Sequence, residues 1–284
     1  MVIFKKISEL QSYLNSYTST GKTVGFIPTM GALHAGHLSL IKEAKASTDV
    51  VVCSIFVNPT QFNNKADYEK YPVSEGADIE LLVDGGCDIL FLPSVKEIYP
   101  DGLIQFASFD FGYLDTLLEG KYRPGHFKGV AQVVNRLLEI VSPDKLFMGQ
   151  KDYQQCLIVK KLLQLTGKDN KIELVICPTL REQDGLAMSS RNRRLSESQR
   201  SLAAVIYQCL VSIEAKQNSM PFAVVQKECM DILNGKGFVT EYVAIANSED
   251  LSLMSDYTDS RKTVALIATK IGDIRLIDNM LLSG

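Results

Sequence analysis

Three histidines stand out as groups that could do chemistry: His34, His37 and His126, each in a Gly- or Pro-containing turn. The first two fall in FIPTMGALHAGHLSLIKEA, where an apolar strand-like run ends at Pro28, a loop with Gly31 follows, and a helix is expected from near Gly36. Spaced by three residues, the two imidazoles share one face of the first helical turn. A helix N-terminus carries unsatisfied N–H groups and partial positive charge, which suits an anion. Gly36 keeps no side chain between a ligand and the backbone. Two imidazoles there can donate to phosphate oxygens as negative charge builds in a transition state. Taken alone, the segment also reads as a helix-capping turn, or as a metal site that would need His126 as third ligand.

A second polar set lies downstream in MSSRNRR (188–194). Ser189 and Ser190 offer hydroxyls and backbone N–H groups, and Arg191 offers a planar fork for phosphate oxygens. By itself the run also reads as a basic, solvated linker. Three further blocks place polar side chains after apolar runs: FVNPTQF (56–62) with Asn58 and Gln61, KYRPGHFKGV (121–130) with Arg123, His126 and Lys128, and MGQKDYQQC (148–156) with Lys151, Asp152 and Gln155.

These side chains need a scaffold. TVGFIPT (23–29), DVVVCSIFVN (49–58), CDILFLP (87–93), DKLFMG (144–149) and KIELVICPT (171–179) read as strands. HLSLIKEAKAS (37–47), EGADIELLVDGG (75–86), KGVAQVVNRLLEIV (128–141) and DYQQCLIVKKLLQLTG (152–167) read as helices between them. That alternation predicts an α/β fold, a Rossmann-like parallel sheet with helices on both faces, over 1–183. Ligands of such sheets bind at the carboxyl ends of the strands, where the polar blocks fall. The pattern then changes. SESQRSLAAVIYQCLVSIEA (196–215), opened by a Ser196/Gln199 capping box, and PFAVVQKECMDILNG (221–235) read as helices. VTEYVAIANSED, TVALIATKIG and IRLIDNM follow as strands, so 184–284 is expected to be a smaller α+β domain.

Composition narrows the function classes. The 284 residues carry 30 Lys plus Arg against 33 Asp plus Glu, a net charge of −3, so no basic field exists to hold a nucleic acid. The six cysteines form no C-x-x-C pair and sit mostly in apolar stretches, as free buried thiols of a reducing compartment do. No apolar h-region follows MVIFKKISEL, and the longest apolar run, Val50 to Val57, is far too short to cross a membrane. The expectation is a cytoplasmic protein without a membrane or nucleic-acid partner.

H-A-G-H after an apolar strand, with MSSRNRR downstream, resembles the HxGH signature and the K-M-S-K-S-type loop of the nucleotidyltransferases related to class I aminoacyl-tRNA synthetases. PTMGALHAGH, SIFVNPTQF, YRPGHFKGV, KDYQQ and DGLAMSSRN together resemble the pantothenate synthetase (pantoate–β-alanine ligase) family over nearly the whole chain. The resemblance implies ATP-dependent joining of (R)-pantoate to β-alanine through pantoyl adenylate, with Mg²⁺, release of AMP and pyrophosphate, and a homodimer formed through the larger domain.

It also implies site residues. Met30, Gly31, Ala32, Leu33, His34, Ala35, Gly36 and His37 would form the first ATP loop. His34 and His37 would act on the α-phosphate and departing pyrophosphate, with His37 the proton donor. Gly149, Gln150, Lys151 and Asp152 would form a second ATP contact, with Lys151 on phosphate. Leu180 would lie beside the adenine, and Met188, Ser189, Ser190 and Arg191 would close over the phosphates. Gln61 and Gln155 would hold pantoate, Gln61 bordering the β-alanine site, with Arg123 as a supporting charge. Asp78 is a candidate ligand for Mg²⁺. A hinge at 180–188 would let the smaller domain act as a lid. Gln150 and Leu180 depart from the family pattern, where Glu and Val are usual. A transferase whose product keeps the nucleotide, an RNA-binding synthetase-like module and a non-catalytic nucleotide sensor remain as alternatives to the ligase.

Overall fold

The apolar runs that alternate with helical segments assemble into a parallel sheet. The computed structural model describes residues 1–62, 68–102, 109–257 and 262–283, divided into two compact units: Met1–Gly149 with Ile158–Pro178, and Gln150–Leu157 with Thr179–Gly284.

In the first unit, β1 (Val2–Phe4), β2 (Val24–Thr29), β3 (Val50–Ile55), β4 (Ile89–Phe91), β5 (Lys145–Gly149) and β6 (Glu173–Cys177) form one sheet in the order β1-β4-β3-β2-β5-β6. Every pairing in it is parallel. Its helices are α1 (Ile7–Thr18), α2 (Ala35–Ser47), α3 (Glu75–Asp84), α4 (Val95–Ile98), α5 (Glu119–Tyr122), α6 (His126–Val141) and, from Ile158 on, α7 (Tyr153–Leu165). Ile27, Val51 and Cys53 pack with Leu40 and Ile41 of α2 and Leu82 of α3. The alternate residues Phe26 and Val52 are fully buried as well, which requires cover on the second face, and α6 packs on β2. A continuous apolar strand is the signature of that two-sided burial. Each such side chain contributes roughly 1.5–3 kcal/mol.

Chain order reverses between β2 and β5. Their ladder is short, pairing only Gly25 with Lys145 and Phe26 with Leu146, while β2 continues to Thr29 and β5 to Gly149. The two strands therefore run on unpaired to each other toward their carboxyl ends. Such a switch point is where an open α/β sheet forms its ligand crevice.

In the second unit, α8 (Glu197–Ala203), α9 (Val205–Lys216) and α10 (Phe222–Gly235) cover an antiparallel sheet of β7 (Val239–Asn247), β8 (Leu253–Met254), β9 (Thr263–Ile271) and β10 (Ile274–Leu282), ordered β10-β9-β7-β8. Ile206, Leu210 and Ile213 of α9 meet Val225 and Leu233 of α10 and Ile245 and Ile267 of the sheet.

The α/β class is as the alternation predicts. The single helix expected over 196–215 is two, broken at Ala204, although the Ser196/Gln199 capping box forms. β1 and α1 lack a sequence signal of comparable strength: β1 is three residues long, and only Leu10 and Leu14 of α1 are buried. The compact units divide at Pro178/Thr179, where the sequence suggests 183/184, and the second also takes Gln150–Leu157.

Candidate active site

The loop after β2 is built around two left-handed residues and one buried carboxylate. Gly31 has φ +79° and Ala32 φ +51°. This turns successive amides inward, where Asp78 Oδ2 accepts from Ala32 N at 2.7 Å and Oδ1 from Leu33 N at 2.8 Å. Ser74 Oγ donates to the same Oδ1 at 3.0 Å. Asp78 comes from α3 and is 1% exposed. A carboxylate so enclosed, with both oxygens on N–H donors, is a structural anchor. Both oxygens are thus accounted for within the protein, and among the described residues no cluster of three or more His, Cys, Asp and Glu could cage a metal. Ala32 and Leu33 are themselves fully buried, so their part in the expected ATP loop is to shape it. Thr29 adds a second tie, accepting from Gly31 N and donating to the Ser54 carbonyl.

The loop delivers His34 as the N-cap of α2 and His37 three residues on. His34 Nδ1 accepts from Gly36 N at 3.2 Å, and His37 Nδ1 accepts from His34 N at 3.3 Å, a reciprocal capping box with imidazoles in both roles. The rings lie 4.1 Å apart between centroids. A ring nitrogen that accepts carries no proton, so each neutral imidazole holds its hydrogen on Nε2. The capping reading and the phosphate reading are thus compatible. Nδ1 serves the helix, and the ring proton of each imidazole sits on Nε2.

A buried polar chain gathers the next candidates in the same unit. Asn58, fully buried, accepts from Tyr99 Oη at 2.8 Å and from Thr60 Oγ1 at 3.1 Å. Its amide donates to the Gly129 carbonyl and to Gln61 Oε1, at 3.2 and 3.3 Å. Gln61 Nε2 lies 2.8 Å from Met30 Sδ, so two residues expected to touch different substrates are neighbours. His126, 5% exposed, joins Arg123 Nη1 at 2.9 Å to the Gln61 carbonyl at 2.8 Å. Guanidinium only donates, so Nε2 accepts and Nδ1–H donates to the carbonyl. Glu119 stands 3.9 Å from Arg123 and is also buried. Gly129 is required where α6 meets the turn Pro59–Gln61, since a Cβ there would overlap the Thr60 carbonyl.

Gly149 closes β5, and the remaining candidates belong to the second unit. Gln150–Asp152 form a helical turn, with Lys151 partly buried, its Nζ 3.6 Å from Asp152, and Gln155 half-buried on α7. Asn279 of β10 donates through its one amide to the Gln150 carbonyl at 3.0 Å and the Lys151 carbonyl at 2.8 Å, and accepts from Gln150 Nε2 at 3.2 Å. The segment 180–188, expected as a hinge, is a hairpin: Met188 N donates to the Leu180 carbonyl, Glu182 N to Leu186, and Arg181 bridges Ala187. The Arg181 guanidinium forks onto Asp278 (2.6 and 3.1 Å), reaches the Gly185 and Asn279 carbonyls, and stacks on Tyr207 at 4.3 Å. Burial pushes the Asp278 carboxyl up against the pull of Arg181. Beyond the hairpin, Ser189 caps the turn Ser190–Arg194 by accepting from Arg191 N, and Asn192 holds the Ala187 carbonyl.

Arg181, Asp278 and Asn279 are missed by sequence reasoning, though D-N inside an otherwise apolar terminal strand is a signal that could have found them. The cysteines are free and buried, and burial pushes the Cys87 and Cys177 thiols up to about 11, which leaves no thiolate for nucleophilic catalysis there.

Comparison with known proteins adds names to this geometry. The family described as pantoate-beta-alanine ligase matches residues 2–281. A pantothenate synthetase of Phocaeicola vulgatus is 46% identical over the full length of both chains. That of Cytophaga hutchinsonii is 44% identical over 99% of each. The solved pantothenate synthetase of Thermus thermophilus superposes with a TM-score of 0.91 at 39% identity, covering 99% of both chains. The Francisella tularensis pantoate-beta-alanine ligase, solved in complex with beta-gamma ATP and beta-alanine, gives a TM-score of 0.82 at 38% identity, over 99% of this chain and 97% of that one.

Proposed function

The chain belongs to the pantoate–β-alanine ligase family, and from that premise we propose how its residues divide the work. The enzyme condenses (R)-pantoate with β-alanine, using ATP, to give pantothenate, AMP and pyrophosphate. A pantoate carboxylate oxygen attacks the α-phosphorus, and the bond to the bridging oxygen of pyrophosphate breaks. The β-alanine amine then attacks the acyl carbonyl of pantoyl adenylate, AMP leaves, and the nitrogen loses a proton. Neither step needs an enzyme nucleophile.

The observation that carries this reading is the pair of capped imidazoles. Both Nδ1 atoms are committed to backbone N–H groups, so His34 and His37 meet the α-phosphate as Nε2–H donors at the positive end of α2. Charge that grows on the phosphate and the leaving pyrophosphate is what such preorganised donors stabilise. Lys151 and Arg191 supply cationic contacts to the phosphates, with Ser189 and Ser190 beside Arg191. Gly149, Gln150 and Asp152 complete the second ATP contact, Leu180 borders the base, and Met188 closes over the phosphates with Ser189, Ser190 and Arg191. Gln61 and Gln155 hold pantoate by their amides. Arg123 acts from behind Gln61 through His126, which fits its burial better than direct substrate contact.

Mg²⁺ finds no cage of side chains among the described residues. It would arrive on the nucleotide's own phosphates, as this cation commonly does. We place the enzyme in the cytoplasm as a homodimer through its first unit. Buried free thiols suit a reducing compartment, and among the described residues no helix is long and apolar enough to cross a membrane.

The test is a product assay by mass spectrometry with ATP, Mg²⁺ and (R)-pantoate, with and without β-alanine. AMP, pyrophosphate and pantothenate together, only with both acids, are expected. Pyrophosphate without AMP would instead indicate a transferase that keeps the nucleotide. His37→Ala is expected to lower kcat by roughly 10²–10³-fold, the loss typical of one transition-state donor, with little change in pantoate KM. Near-normal turnover would remove His37 from the mechanism.

A further inference from the structure

We propose that Asp278 and Asn279, adjacent in the last strand, are positioning residues that set the Gln150–Asp152 turn and the 180–188 hairpin for ATP. The inference rests on the ligase reading for its substrate and on the second unit alone for its geometry.

Successive strand residues leave a sheet on opposite faces. One dipeptide in β10 can therefore anchor two segments at once. Asn279, 2% exposed, gives both amide hydrogens to consecutive carbonyls, Gln150 and Lys151, and takes one hydrogen bond back from Gln150 Nε2. This fixes the peptide on either side of Lys151, and so the direction in which the lysine side chain departs. Asp278, 3% exposed, accepts both arms of Arg181, the residue that opens the hairpin leading to Met188–Arg191. Arg181 Nη2 also donates to the Asn279 carbonyl, at 3.1 Å, which ties the two halves of the device together. A strand that needed only to fill space would carry apolar residues here, as its neighbours Leu276 and Leu282 do within the core. Two buried polar groups with their bonding capacity used on phosphate-contact segments are retained for orientation. Aspartate is the informative replacement at 279, because it has the same shape and no donor for two carbonyl oxygens.

The experiment compares Asn279→Asp with the parent and with Leu276→Ala, a packing control in the same strand. Binding of α,β-methylene-ATP is measured by calorimetry, and KM for ATP, pantoate and β-alanine by turnover, alongside thermal melting. Asn279→Asp is expected to weaken analogue binding and raise the ATP KM at least tenfold, with the β-alanine KM within twofold. Leu276→Ala should melt lower yet bind the analogue within twofold of the parent. If Asn279→Asp does not fold, Asn279→Ser, which keeps one donor, takes its place with an intermediate loss expected. Parent-like analogue binding in a folded Asn279 variant overturns the proposal, as does an equal loss in Leu276→Ala. Analogue binding decides the positioning role independently of turnover, so a parent that binds the analogue without making pantothenate would sink the ligase reading alone.

Discussion

The loop Thr29–His37 turns amide N–H groups inward onto a carboxylate, whereas the turn Gln150–Asp152 turns carbonyls inward onto an amide. Asp78 therefore holds its loop as a charged acceptor, and Asn279 holds its turn as a neutral donor. The first arrangement forces backbone into the left-handed region at Gly31 and Ala32, which makes it dependent on one buried negative charge. It also spends the Ala32 and Leu33 amides on the protein itself. An anion at that loop would meet the helix end and the two imidazoles instead of those amides. The second arrangement holds its turn with a neutral amide, while the neighbouring Asp278 is matched by Arg181. In each region the anchor is a buried side chain behind the segment it holds.

Removing the matching cation is the hardest blow to the second region. Arg181→Ala leaves Asp278 buried without its partner, and breaking such a pair costs about 3–5 kcal/mol. Burial already pushes this carboxyl up, and loss of the guanidinium pushes it further. An acid whose folded pKa lies above its unfolded value favours the folded state at low pH and loses that advantage as pH rises. The melting deficit of the variant should therefore be larger at pH 8 than at pH 5. A deficit that does not change with pH would mean that Asp278 is not the group left stranded.

The first region breaks differently. Asp78→Asn keeps one acceptor and turns an NH₂ toward an amide N–H, leaving a buried donor unsatisfied at a cost of about 1–3 kcal/mol. Displacement of the histidines by even ~1 Å can lower kcat by ~10²-fold. Thermal melting and steady-state kinetics read the two effects. Raising Mg²⁺ tenfold separates the anchor from a metal ligand, because a lost ligand would be partly compensated and a lost anchor would not. Recovery of kcat with Mg²⁺ would restore the metal reading of Asp78.

The same contrast explains what could be read from the chain. The loop of the first region is local: His34 and His37 sit three apart, directly after an apolar strand, and pattern alone places them at a helix start. Their caps, too, are made within four residues. Asp78 could be noticed but not understood, since it acts on backbone 45 and 46 residues away, and hydrogen bonds to backbone leave no side-chain pattern at the receiving end. Asn279 acts across 128 and 129 residues and lies in a strand that resembles any other antiparallel edge. The parallel α/β class followed from alternation, whereas the strand order did not, and α1 stayed hidden because two leucines suffice to dock it. Within 180–188 the sequence shows only polarity: Arg181 looks like a linker charge until Asp278 is found beside it.

The hairpin carries a second ion pair that sharpens the comparison by its smallness. Asp184 accepts from Arg200 Nη2 at 3.1 Å and from Leu186 N at 3.2 Å, but its side chain is 40% exposed. The Arg200 guanidinium holds its carboxyl below the usual carboxylate range. A depressed acid contributes stability above its unfolded pKa, about 3.9, and loses it as pH falls through the folded value. Solvent screening limits an exposed pair to about 0–1 kcal/mol. Asp184→Asn should therefore lower the melting temperature slightly at pH 7, and the gap should close below about pH 4. ATP affinity should stay within twofold, because Arg181 and Asp278 still hold the hairpin. A loss of ATP affinity as large as that of Asn279→Asp would show that the exposed pair, and not the buried one, fixes the segment leading to Arg191.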